Sequence, residues 1–208
     1  MKIEFGRLSG GRRLVLAATV FMFIAAGSGV CAAEEREWTG NINFFFGAKS
    51  LNNDDWSPVE NQGESGVEID FMRKGWPVGV VVDSMRSFDE VTVVDPVTGT
   101  ISKWVESSTS ELNIGVKKTW KPGMARPFIG GGLSLVRAEY EEVTVGTGKI
   151  SDSDTAIGVW VGVGAYWTLG KHFNIGFELK RSYAEAKRLG KEVDAGGGHA
   201  GLLLGYHW

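Results

Sequence analysis

The chain has 208 residues, 43% of them hydrophobic, and a formal net charge of −3. That acidic balance excludes the basic patch that nucleic-acid binding calls for, and a single cysteine, Cys31, excludes a disulfide framework. The length suits one domain.

The amino end carries Lys2, Arg7, Arg12 and Arg13 against one acid, Glu4. Leu14 to Ala26 follows as thirteen apolar residues, and the small residues Cys31-Ala32-Ala33 precede Glu34. A basic segment, a short apolar core and a small-residue exit mark a cleaved secretory signal over residues 1–33. A membrane anchor is the alternative, but thirteen residues fall short of the roughly 20 that a spanning helix needs. A lipoprotein signal is the other, and Ser28-Gly29-Val30 before Cys31 fits a lipobox poorly. Removing the signal takes four of the 22 basic and one of the 25 acidic residues, leaving 18 and 24 and a net charge of −6 for residues 34–208. Cys31 leaves with it, so the mature chain has no thiol site.

The mature segment holds no long apolar run. It alternates instead, in stretches of about 10 residues separated by turns, the signature of a membrane barrel. The first strand, 37–49, sets Trp38, Ile42, Phe44 and Phe46 against Asn41, Asn43, Phe45 and Lys49. The second, 64–73, sets Val67, Ile69 and Phe71 against Glu68 and Asp70. The third, 78–87, opposes Val80 and Val82 to Val81 and Asp83, and the fourth, 107–120, opposes Leu112, Ile114 and Val116 to Glu111, Asn113 and Lys117. The fifth, 126–140, is glycine-rich and less regular. The sixth, 155–169, sets Ile157, Val159, Val161 and Val163 against Trp160 and glycines. The seventh, 172–186, opposes Phe173, Ile175, Phe177 and Leu179 to Glu178 and Lys180, and the eighth, 197–208, opposes Leu202, Leu204, Tyr206 and Trp208 to His199 and His207.

Eight amphipathic strands fit a soluble sandwich or lipocalin with the apolar face inward, or a membrane barrel with that face toward lipid. Three features choose the barrel. Short links (73–77, 121–125, 170–171) alternate with long ones (51–62, 88–106, 141–154, 187–196), as periplasmic turns alternate with outer loops. With eight strands, both termini then lie on the periplasmic side. Trp38, Trp76, Trp120, Trp167 and Trp208 all fall at predicted periplasmic strand ends, as an interfacial aromatic girdle requires. The last strand ends Leu202, Leu204, Tyr206, Trp208 on alternate positions. This resembles the terminal signal that the barrel-assembly machinery reads.

With Pro127-Phe128-Ile129-Gly130-Gly131-Gly132 and Leu204-Gly205-Tyr206-His207-Trp208, the chain resembles the small outer-membrane barrels of the OmpA transmembrane-domain, OmpX and OmpW type. The resemblance covers Glu37 to Trp208. It implies an all-β, eight-stranded antiparallel up-and-down transmembrane barrel in the bacterial outer membrane. Its expected surroundings are outer-membrane lipids and lipopolysaccharide, with the assembly machinery as a partner during biogenesis.

The predicted lumen set is Glu68, Asp70, Asp83, Glu111 and Glu178 against Lys117 and Lys180. Charges facing lipid cost roughly 2–4 kcal/mol for Lys or Arg at the midplane, so these point inward. They read first as a polar network plugging a lumen only wide enough for side chains. The alternative is a small pore, which five acids would make cation-favouring. Glu68 opposite Asp83 suggests acid–base chemistry, but no cleft accompanies it. Ser182 about opposite His199 suggests a lipid A-modifying enzyme, yet Lys180-Arg181-Ser182-Tyr183-Ala184 is not the histidine–serine arrangement of the deacylases, and both side chains point into the lumen. The expectation is therefore no enzyme and no cofactor, and three scattered histidines make no metal set. Asp54, Asp55, Glu60 and Glu64 are a candidate cation cluster without EF-hand spacing, reading more simply as a solvated loop. Val91 to Val105 alternates around Asp95-Pro96-Val97-Thr98-Gly99 and can extend strands three and four into a protruding hairpin for adhesion or docking.

Overall fold

The structure, a computed structural model, describes residues 37–95, 97–120 and 124–208. The expected signal, residues 1–33, lies outside them, as does most of the 121–125 link. The strands are β1 (Trp38–Ser50), β2 (Asn61–Arg73), β3 (Gly79–Val94), β4 (Ile101–Thr119), β5 (Ala125–Thr144), β6 (Gly148–Leu169) and β7 (Phe173–Tyr183). After them come a short hairpin, β8 (Glu185–Arg188) with β9 (Lys191–Asp194), and β10 (Gly197–His207); one helical turn, α1 (Asn53–Trp56), interrupts the β1–β2 link. Each long strand pairs antiparallel with its neighbour, and β10 returns to β1, closing the barrel in the order β1-β10-β7-β6-β5-β4-β3-β2. The closing seam runs from Asn41 opposite His207 to Ser50 opposite Gly198.

Alternation decides which way each strand faces, because successive side chains in a strand point to opposite faces of the sheet. Leu112, Ile114, Leu133, Ile157, Val159 and Leu202 lie on the outer wall, Ile157 at 78% and Leu202 at 60% exposure. Asn43, Glu68, Asp83, Asn113 and Lys180 lie buried inside. The wall is thus apolar outside and polar within, the reverse of a lipocalin. The expected tryptophans gather at one end: Trp38 packs edge-on against Trp76 with centroids 5.5 Å apart, and the backbones of Trp208 and Gly40 exchange both hydrogen bonds across the seam. At this end the chain turns tightly, with Gly75 at φ +86° between β2 and β3, a left-handed conformation that glycine adopts without steric cost.

The opposite end departs from the expected loops. Of the four long links, 88–106, 141–154 and 187–196 are mostly strand, the first in line with the hairpin expected over Val91 to Val105. β3 and β4 run paired from the wall to Val94 opposite Ile101, and β5 and β6 to a turn at 145–147. Trp104, expected in a loop, lies in β4. The pattern changes face along these strands, which is why alternation beyond the wall read as loop. On β5, Leu133 and Leu135 face out and Ser134 in; two residues later Arg137 faces out while Val136 and Ala138 are buried. On β6, Ile157 faces out, and then Ala156 is buried while Thr155 is exposed. The far end is therefore a crown with ordinary soluble polarity, set on an inside-out barrel.

Candidate functional site

The lumen is stacked in layers. Nearest the tryptophan end, the Lys117 ammonium lies 2.5 Å from Glu68 Oε1 and 3.3 Å from Asp70 Oδ2, and 4.2 Å over the ring of Phe128. Asn41 Nδ2 donates to Asp70 at 2.7 Å and to Tyr166 Oη at 3.1 Å, and Asn174 Nδ2 donates to Asn41 Oδ1 at 2.8 Å. The mouth below is formed by Arg126, 3.1 Å from His207 Nε2. In the middle, Lys180 lies 2.7 Å from Asp83 and 3.6 Å from Glu178, with the Trp160 ring 4.9 Å away. Asn113 Nδ2 donates to the other Asp83 oxygen at 2.7 Å. The inward glycines make this possible: a Cβ on Gly130 would stand 3.0 Å from the Trp160 ring, which fills the lumen there.

Glu68, Asp70, Asp83 and Glu178 lie around the two lysines, and Glu68 sits directly opposite Asp83 in register. Two members of the lumen set were missed. Lys49, read only as inward-facing, lies 2.5 Å from Glu111 and also donates to Thr109 Oγ1 at 2.8 Å and the Ala195 carbonyl at 3.1 Å. Glu64, read as a loop acid, is buried with both carboxylate oxygens 2.9 Å from His199 Nδ1. Parity marks both as inward, but each was assigned to a strand end or a loop. Apolar residues share the lumen as well: Phe45, Met85, Phe128, Tyr166 and Leu203 form one buried cluster.

Ser182 and His199 meet, though not by the register expected. Ser182 pairs with Gly197 and His199 with Lys180, so the contact is diagonal, Oγ to Nε2 at 2.9 Å. With Glu64 on Nδ1 this has the outline of a Ser-His-acid relay. Ser182 Oγ is also 3.1 Å from Glu111 Oε1, and all four side chains are buried. The Ser182 hydroxyl is thus shared between the imidazole and a second carboxylate among buried side chains.

Above this layer the crown closes the barrel with an apolar core. Trp56 on α1 is fully buried against Leu51, Val136, Ala138, Ala156, Ala186, Val193 and Ala195. Its Nε1 donates to the Asp194 carbonyl at 2.8 Å, and the Arg188 guanidinium lies 5.1 Å over its ring and 4.7 Å over that of Tyr140. The Tyr140 hydroxyl donates to Glu142 at 2.9 Å; burial first, then this bond and the carboxylate charge, push the phenol up to about 12. The candidate cation cluster does not assemble, and the four acids are not one solvated loop either: Asp55 faces Lys191 at 3.3 Å, and Glu64 turns into the lumen.

The remaining expected residues stand on the outer wall. Trp38, Trp76, Trp120 and Trp167 are each between 37% and 48% exposed. Leu202, Leu204 and Tyr206 face outward along β10, with the His172 ring stacked 4.9 Å from Tyr206 and the Trp208 ring covering Gly40.

No family profile and no curated protein matches the chain. Solved structures do. Ail, the attachment invasion locus protein of Yersinia pestis, in complex with the heparin analogue sucrose octasulfate, superposes with a TM-score of 0.59 at 13% identity, over 83% of this chain and 100% of that one. A major outer membrane protein from Thermus thermophilus gives 0.52 at 13%, over 83% and 99%. The outer membrane protein OprG from Pseudomonas aeruginosa gives 0.50 at 13%, over 82% and 95%. At such identities the likeness speaks for architecture alone, and in architecture the chain is an eight-stranded antiparallel barrel of the small outer-membrane type.

Proposed function

We propose that the protein is an integral barrel of the bacterial outer membrane with a structural or envelope role, its lumen plugged by its own side chains. One observation carries this. Every charged group of the mid-lumen is buried and faces an opposite charge, and the crown seals the same passage with Trp56. A strand alternation that presents leucine and valine outward makes sense only against hydrocarbon, since exposed apolar patches beyond a few hundred Å2 are rare on soluble monomers. In this reading residues 1–33 are removed on export. The tryptophan end is periplasmic, where indoles form the interfacial girdle. Leu202, Leu204, Tyr206 and Trp208 present the assembly signal on the outward face, and no catalytic role is assigned.

Conductance tests the plug. The refolded protein in planar bilayers is expected to show no sustained current, and steady cation-selective openings of the unmodified chain would replace the plug by the pore reading.

One observation favours docking as a second role. β3 runs past its last β2 pair, Gly63 with Phe88, to Val94, and β4 is its only strand partner there among the described residues. Such an edge can accept an added strand. Shortening the 89–106 hairpin should abolish adhesion while leaving the heat-resistant barrel intact; adhesion that survives it would end this reading.

A further inference from the structure

The pairing register places the boundary between barrel and crown on a single row. Ser65, Arg86, Ser110, Arg137 and Thr155 are direct partners across β2 to β6, and all five side chains are exposed on the outer wall. The next row toward the tryptophan end is Val67, Ser84, Leu112, Leu135 and Ile157, and the one below it Ile69, Val82, Ile114, Leu133 and Val159. The row beyond includes Phe88 and Glu139, and the one after it Glu90, Glu106 and Glu141. The outer wall thus reads apolar, then basic with hydroxyls, then acidic.

We infer that Arg86 and Arg137, with Ser65, Ser110 and Thr155 between and beside them, form a binding row for the phosphate groups of outer-leaflet lipids. The inference rests on the membrane reading above and names a ligand chemistry for it. The occupant follows from position and charge. A group bound here must have an anionic head at the row and apolar chains lying down the two rows beneath, which is the make-up of a phosphorylated lipid. Arg86 and Arg137 are two strands apart, about 10 Å at the usual strand spacing, so the two guanidiniums can each take a phosphate of one headgroup. Guanidinium suits that task because its donors form a planar fork matched to phosphate oxygens. Both are placed to do so. Arg86 is exposed, and among the described residues Arg137 bonds only Glu139 of its own strand, at 3.0 Å with the Arg137 side chain 56% exposed. Arg181 ends the apolar run of β7 in the same way, but its guanidinium lies 4.9 Å over Tyr183 and 3.6 Å from Asp194. The glutamates farther out bound the row on its distal side, so an anion fits the row and not the crown.

The test compares the intact barrel in nanodiscs of phosphatidylcholine alone, with diphosphorylated lipid A, and with dephosphorylated lipid A. Thermal midpoints and bound lipid are the readouts. The unmodified protein is expected to unfold at higher temperature with the phosphorylated lipid than with the dephosphorylated one. R86S/R137S should lose that difference, match the parent in phosphatidylcholine, and bind phosphorylated lipid A roughly fivefold more weakly for each arginine removed. Lys149→Ser, on the crown, should change nothing. If the double variant does not fold, R86S and R137S singly should each lose part of the difference. A double variant that keeps the full difference overturns the proposal, as does a K149S variant that loses as much. So does inorganic phosphate reproducing the shift in phosphatidylcholine, since the row would then hold a free anion. Insertion without dependence on lipid composition overturns this inference alone, whereas failure to insert in any composition overturns the membrane reading with it.

Discussion

The two halves of β5 show one strand carrying opposite polarities on its outer face. From Ile129 to Leu135 the large apolar side chains face outward, and Gly130, Gly132 and Ser134 face the lumen. From Val136 to Tyr140 the apolar groups turn inward onto Trp56, and Arg137 and Glu139 face out. The backbone and its pairing continue without a break, from Phe128 opposite Thr119 to Thr144 opposite Lys103. On the membrane reading proposed above, only the medium outside changes. The inside changes as well: in the barrel, buried charges are paired, and in the crown a hydrophobic core takes their place.

The largest expected effect comes from unbalancing the paired lumen. Lys180→Met leaves Asp83 and Glu178 buried without their cation, at a cost of about 3–5 kcal/mol. Urea unfolding in vesicles measures it, and adding Asp83→Asn should recover part of the loss. Trp56→Ala removes the centre of the crown core and should cost about 3 kcal/mol, the low end for such truncations because an exposed cap can collapse into the space. Its signature is local: protease should cut 51–60 and the β8–β9 hairpin, while the barrel stays heat-resistant. A barrel that melts along with the crown would show that the two regions are one cooperative unit.

Arginine substitutions on the outward face locate the change of medium directly. Leu133→Arg should cost roughly 2–4 kcal/mol in a bilayer, and Ser153→Arg, outward on β6 above the boundary, should fall within about 0.5 kcal/mol of zero. Equal costs at the two positions would break the comparison. The smallest effect is a titration. Tyr140 is raised from an ordinary 10.0 to about 12, so the folded crown holds this proton more tightly than the unfolded chain does. Its contribution is complete below pH 10 and is lost as pH rises through about 12. A phenolate difference spectrum against Tyr140→Phe should show this group titrating near 12; titration near 10 would detach it from Glu142.

Within the wall nearly everything positional was legible. Strand parity puts Glu68, Asp70, Asp83, Glu111, Lys117, Glu178 and Lys180 on the face that is buried in the structure, while Trp38, Trp76, Trp120 and Trp167 are exposed. Legibility fails above the boundary. Glu141 to Asp154 read as a loop because the polarity of the two faces reverses there, and a search for outward apolar residues finds acids instead; Val91 to Val105 kept its alternation and was legible as a hairpin continuing β3 and β4. Ser182 and His199 were correctly brought together and wrongly placed in register, since the β8–β9 hairpin between them sets the offset.

Within the wall the amino-acid order alone determined the strands and the face each residue takes, because a period of two is a local property of the chain. Closure of the ring decided the rest. Asp83 meets Lys180 across 97 positions, and Trp56 meets Asp194 across 138. No neighbour along the chain encodes such partners; they depend on how eight strands are staggered around a common axis, which exists only once the last has paired with the first.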